Sequence, residues 1–170
     1  MEPLLFTSQV AVFLGLALLV AAAAHDIMAR TVPNGLALAL LLLGIIARAT
    51  GGGLVLGCLA AFIVFVLSAL AWQRGWMGGG DVKLLAAACP LLPPESVLNF
   101  VLGTSVAGGV LAVTYILLRP VVPRPKAAAI RPVHLLRRAA KAEAWRISRG
   151  GPLPYAVAIA ASGIAIVLKG

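Results

Sequence analysis

Residues 54–85 read LVLGCLAAFIVFVLSALAWQRGWMGGGDVKLL. The stretch from Leu54 to Trp72 carries no charge. At 1.5 Å per residue it is long enough as a helix to cross a hydrocarbon core of about 30 Å. A polar interruption, Gln73 to Lys83, follows, and within it three glycines precede Asp81 at the mouth of another apolar segment, Leu84 to Leu92. Acids are scarce: the only Asp residues of the chain are Asp26 and Asp81, and both sit at the edge of an apolar segment.

The rest of the chain repeats this alternation. It is 62% hydrophobic and 11% charged, with a mean hydropathy of +1.06, against roughly 25% charged in soluble domains. With 170 residues and about 20 per span, the expectation is an all-α polytopic membrane bundle of about six helices, forming one domain over residues 1–170. Pro3 to Ala24 is the first apolar run. The region before it holds Glu2 and no basic residue, which argues against a cleaved signal peptide. His25 to Asn34 is a polar interruption, and Asn34, after Pro33, is placed to cap the helix of Gly35 to Ala49. Leu84 to Leu92 is too short to cross alone and is bounded by Pro90, Pro93 and Pro94, so a broken helix shielded by its neighbours is expected there. Val97 to Leu118 and Leu153 to Leu168 complete the set.

Basic residues orient the chain. Nine of the fourteen lie between Arg119 and Arg149, which puts the 119–150 loop in the cytoplasm by the positive-inside rule. Counting back through six spans adds Arg30, Arg74 and Lys83 to that side and leaves only Arg48 and Lys169 outside. Asp26 and Asp81 then face the cytoplasm together. The net charge of +9 is explained by topology and attraction to anionic membrane lipid, about 1 kcal/mol per basic residue, and not by nucleic-acid binding. Within the loop Val133, Leu136, Ala140, Ala144 and Ile147 recur at helical spacing, the pattern of an interfacial amphipathic helix.

Cys58 and Cys89 lie in separate apolar segments without C-x-x-C spacing, and His25 and His134 have no ligand partners, so no metal site or cofactor is expected. Patterns for serine, zinc-hydrolase or nucleotide chemistry are absent. Asp81 taken alone reads equally as a helix N-cap, and Asp26 as a surface partner of Arg30. As a pair they permit acid–base chemistry. Two close carboxylates share a proton, so that one activates water while the other polarises a peptide carbonyl. With no Cβ, the glycines 78–80 are able to adopt positive φ and to let backbone or an extended substrate approach Asp81 closely.

Gly78-Gly79-Gly80-Asp81-Val82-Lys83-Leu84 resembles the G-x-G-D-x-K-L signature of the type IV prepilin peptidases, a family of intramembrane aspartic peptidases. Asp26 followed by Pro33-Asn34 is similar to that family's other aspartate region, and Pro152-Leu153-Pro154-Tyr155-Ala156 to the opening of its last helix. The resemblance implies Asp26 and Asp81 as the catalytic pair, with Gly78, Gly79, Gly80, Lys83, Pro33, Asn34, Pro154 and Tyr155 as supporting residues. It further implies cleavage of the leader of pilin-like precursors at the cytoplasmic face of the bacterial inner membrane. The larger members carry a cysteine-rich insert associated with N-methylation. This chain has none and looks like the short, peptidase-only members of tight-adherence (Flp-type) pilus systems.

Two rival readings stand beside it: a small proton-coupled transporter with Asp26 and Asp81 as relay groups, and a non-catalytic assembly subunit. A relay normally places ionisable groups through the membrane depth, and here the carboxylates lie at the edges only. Near-absence of other acids makes the retained Asp pair hard to explain in a subunit that does no chemistry.

Overall fold

In the computed structural model, which describes residues 2–122, 135–151 and 153–169, every regular element is helical. The α-helices are α1 (Glu2–Ala29), α2 (Asn34–Gly51), α3 (Leu54–Gln73), α4 (Gly79–Ala88), α5 (Val97–Leu118), α6 (Leu135–Arg149) and α7 (Tyr155–Val167); 3₁₀ turns occupy Cys89–Leu91 and Pro94–Ser96. Four helices are long and apolar enough to cross a membrane: α1, α2, α3, and α5 with the turn before it. The other two expected spans are shorter, at 10 residues for α4 and 13 for α7. Large apolar side chains such as Phe6, Phe13, Val55, Phe62, Leu98 and Ile116 point outward, as expected of a bundle whose surroundings are hydrocarbon.

Helix α7 packs between α1 and α5, while α4 is enclosed by α2, α3 and α7. The segment after α4 leaves the α-helical path without exposing its backbone. Cys89, Leu91 and Leu92 are almost completely buried, and at Gly44 of α2 an added Cβ would stand 2.9 Å from the Leu91 nitrogen. A glycine therefore lets this turn press against a neighbouring helix, which satisfies the condition for irregular backbone at membrane depth. The expectation of a broken, shielded fourth segment agrees with this arrangement.

Two local expectations need correction, and one freedom goes unused. The polar interruption expected from His25 is mostly helix, since nothing before Pro33 breaks the run and α1 continues through Asp26 to Ala29. It ends at Arg30, the one positive-φ residue other than glycine among those described (φ 55°). The Arg30 N–H donates to the Asp26 carbonyl at 2.8 Å, a left-handed terminus of the kind glycine usually occupies. Asn34 does not cap α2. Pro33 holds the N-cap position, and the Asn34 side chain instead accepts a hydrogen bond from Lys83 Nζ at 2.7 Å, tying α2 to α4. The glycines 78–80 do not adopt positive φ. Gly78 is extended (φ −73°, ψ 142°) and Gly79 opens α4.

Helix α6 lies within the predicted amphipathic segment and packs against α1 and α5. Of the five apolar positions, Ala140 is exposed, while Ala144 and Ile147 are half-buried; Val133 lies outside the described residues, and the Leu136 side chain is also outside them.

Candidate active site

The last turn of α1, the first turn of α4 and the first turn of α7 meet at one end of the bundle. Asp26 is 6% exposed, which removes the surface-pair reading, and its neighbour Arg30 pairs elsewhere. The backbone N–H of Ala156, in the first turn of α7, lies close to the Asp26 carboxylate. Asp26 Oδ2 is buried with no partner among the described residues, an orphan acceptor that calls for explanation.

Asp81 is the third residue of α4, with Gly78 at the N-cap. Its carboxylate turns back over Gly78, whose N–H favours the ionised form, while its own N–H donates to the Gly78 carbonyl at 3.1 Å. An acid at N3 facing the N-cap residue has the placement of the capping box, so Asp81 does serve the helix terminus, from the N3 position and not from the N-cap. The glycines give it room by lacking side chains. A Cβ on Gly78 would come 2.8 Å from Asp81 Oδ2; one on Gly79 would stand 3.3 Å from Trp72 Nε1, and one on Gly80 3.4 Å from Val32 Cγ2.

The two carboxylates sense one another. Burial pushes the Asp81 carboxyl up to about 6 from its ordinary value of 3.8, and the nearby Asp26 adds to the rise; the Gly78 N–H and the Arg30 guanidinium oppose it. A carboxyl in that range holds or releases a proton near neutrality, as an acid–base partner must. Tyr155, opening α7 after the buried Pro154, lies within electrostatic reach of Asp81. Its ring occupies the space left by Gly108 of α5, where a Cβ would stand 2.7 Å from the phenol oxygen. Lys83, two residues beyond Asp81, is exposed and bonded to Asn34; it joins two helices and does not reach the carboxylate pair through that bond.

A family model for the type IV leader peptidase family matches residues 13–113. The chain belongs to that family. The matched stretch of this leader peptidase family member includes Asp26, Pro33, Asn34 and the Gly78 to Lys83 motif, and it ends before α6 and α7. Neither the curated proteins nor the solved structures yield a match.

The structure also brings in residues that sequence reasoning passed over. Glu143, on α6, accepts from Arg30 Nη2 at 2.5 Å, from Arg146 Nη1 at 3.1 Å, and from the Tyr115 hydroxyl. Arg146 Nη1 also donates to the Ile27 carbonyl at 2.5 Å, at the end of α1. One signal for Glu143 was present in the sequence: it is the sole acid between Arg119 and Gly150. His25 is used locally, its Nδ1 donating to the Thr31 carbonyl at 2.7 Å. Among the described residues no cluster of three or more His, Cys, Asp or Glu side chains is arranged to hold a metal ion.

Proposed function

We propose that the chain is an aspartic endopeptidase of the membrane that removes the leader from pilin-like precursors. Asp26 and Asp81 are its catalytic pair. The observation that carries this reading is the convergence of the two Asp residues of the chain, from α1 and α4, at one end of a bundle where the charge of one raises the proton affinity of the other.

In the proposed reaction the pair holds one proton between two carboxyls. The ionised member takes a proton from water, whose oxygen attacks the scissile carbonyl carbon. The protonated member donates to the carbonyl oxygen, and proton transfer to the amide nitrogen releases the new amine. No covalent intermediate forms. The N3 placement of Asp81, facing Gly78 at the N-cap, positions its carboxyl at the helix terminus.

The cut is assigned to the cytoplasmic face by the distribution of basic residues, twelve against two in a six-span count. An apolar groove of about 430 Å³, lined by Val64, Leu67, Leu85, Val101 and Tyr155 among others, shares Tyr155 with the surroundings of Asp81 and suits a substrate that is itself embedded in the membrane. Since the chain lacks the cysteine-rich insert of the methylating enzymes, the trimmed product keeps a free N-terminal amine, as in the short peptidases of tight-adherence pili.

Co-expression with a pilin-like precursor tests the reading. The expected result is a processed band that disappears in Asp26→Asn and in Asp81→Asn at unchanged membrane abundance, with the double variant little worse than either single. Cleavage retained by either Asn variant overturns the dyad mechanism. Mass spectrometry of the product checks that no methyl group has been added.

A further inference from the structure

Arg30 is coupled to two sets of acids. Its Nη2 is held by Glu143 from α6 at 2.5 Å, and its charge also acts on Asp26 and Asp81. Its Nε and Nη1 are buried and without partners among the described residues. Left to itself, a buried guanidinium next to two carboxylates would pair with them through its fork of donors and hold both ionised. That state lacks the proton which the proposed mechanism requires.

We infer that Glu143 is a positioning residue: by drawing the Arg30 guanidinium toward α6 and offsetting its charge, it keeps one proton available to the Asp26–Asp81 pair. The inference rests on the peptidase reading above and gives the basic 119–150 loop a task in the reaction. The loop helix is fastened for that task. Arg146 grips the Ile27 and Met28 carbonyls at 2.5 and 3.4 Å, and the Tyr115 hydroxyl of α5 bonds Glu143. The strained backbone of Arg30 points the same way, because a left-handed helix end gains nothing from an arginine and strain of this kind is retained where a side chain is needed.

The charged and titratable groups around the pair, among the described residues, are Arg30 at the end of α1, Glu143 and Arg146 on α6, Tyr115 on α5 and Tyr155 on α7. Lys83 of α4 is engaged with Asn34. The two ends of the Arg30–Glu143 ion pair therefore exert opposite influences on the dyad. If the pair served only to hold α6 in place, removing either end would have the same effect.

The full chain, solubilised in detergent, suffices for the test. Because Asp26 and Asp81 are its only Asp residues, ¹³C-aspartate labelling and infrared titration read the dyad directly, with or without substrate. Glu143→Gln is expected to move the upper titration step, and the alkaline limb of cleavage of the precursor, to lower pH. One pH unit corresponds to about a tenfold loss of rate above the limb, at little change in KM. Arg30→Gln is expected to move both upward. The double variant should fall between the singles, near the wild-type chain, as charge compensation requires. Glu143→Asp keeps the charge at shorter reach and gives a smaller downward shift, which preserves the test if the Gln variant does not fold. Shifts in the same direction for Arg30→Gln and Glu143→Gln, no shift in either, or a double variant as displaced as the worse single would overturn the inference. If the wild-type chain cleaves no precursor, the peptidase reading fails, while the infrared shifts still decide whether Glu143 governs the pair.

Discussion

Gly78 and Asp81 are fitted to one another: a Cβ on the glycine would stand 2.8 Å from the Asp81 Oδ2 that folds back over it. The backbone at Gly78 is extended (φ −73°, ψ 142°), a conformation open to any residue. Glycine is therefore required there by the carboxylate and not by the chain path.

Gly78→Ala should accordingly act on activity and spare the fold. The clash falls on the end of a flexible side chain, which can swing away at a stability change within about 0.5 kcal/mol, while displacement of the carboxylate lowers kcat by about a hundredfold. Gly35→Ala is the control. No atom lies within 4 Å of its Cβ position, and in the first turn of α2 alanine should be neutral or stabilising by up to about 1 kcal/mol. Precursor cleavage and thermal unfolding in detergent, measured on both variants, check this; equal loss of activity in the two would remove the special role of Gly78.

Asp81→Asn is expected to stabilise the protein at neutral pH while abolishing cleavage. The folded carboxyl is raised to about 6 from 3.8, so between those values the folded state binds more proton than the unfolded one. Stability of the wild-type chain then falls as pH rises through this window. The carboxamide has no charge to desolvate and keeps an acceptor for the Gly78 N–H. Melting curves should show the variant more stable than the wild type at pH 7, with the difference shrinking to nothing below pH 4. A variant less stable at every pH would mean that the ionised carboxylate supports the helix terminus more than burial opposes it.

The helical bundle and the proposed catalytic pair were legible in the sequence for different reasons. Span length and hydropathy are summed over many residues, and α5 begins and ends at the predicted Val97 and Leu118. Asp26 and Asp81 were legible because acids are so few. What escaped was local. Asn34 after proline has the composition of a cap, but Lys83, distant in sequence, competes for its side chain. Glycine before a helix reads both as backbone freedom and as room for close approach, and the Gly78 to Gly80 run is used only for the second, by the side chains of Asp81, Trp72 and Val32. Glu143 was hidden by its surroundings, since one acid among nine basic residues reads as part of a solvated face until the fold brings Arg30 beside it.

Topology gives a test independent of catalysis. In a background with Cys58 and Cys89 replaced, single cysteines at Trp76 and Arg149, both exposed, should be labelled from the cytoplasmic side, and one at Thr50, at the far end of α2, from the other. Helix α7 has 13 residues, about 20 Å at 1.5 Å each, so a cysteine at Lys169 measures whether its end reaches the opposite surface. Labelling of Thr50 and Arg149 from the same side would overturn the orientation drawn from basic residues.

Arg30 carries two separable burdens, a backbone at φ 55° and a side chain that faces the acids, and a pair of substitutions can divide them. Arg30→Gln removes the charge and keeps the strained, Cβ-bearing backbone. Arg30→Gly removes the same charge and relieves the strain, because glycine adopts the left-handed region freely. Both should displace the alkaline limb of cleavage alike, since each deletes the same cation from beside Asp81. They should differ in stability, with the glycine variant the more stable by about 1 kcal/mol, the usual penalty of a left-handed residue less the greater freedom of unfolded glycine. Denaturation in detergent alongside a pH profile reads both quantities. Equal stability of the two variants would show that the Arg30 backbone is unstrained, and a normal pH profile in both would show that its charge does not act on the dyad.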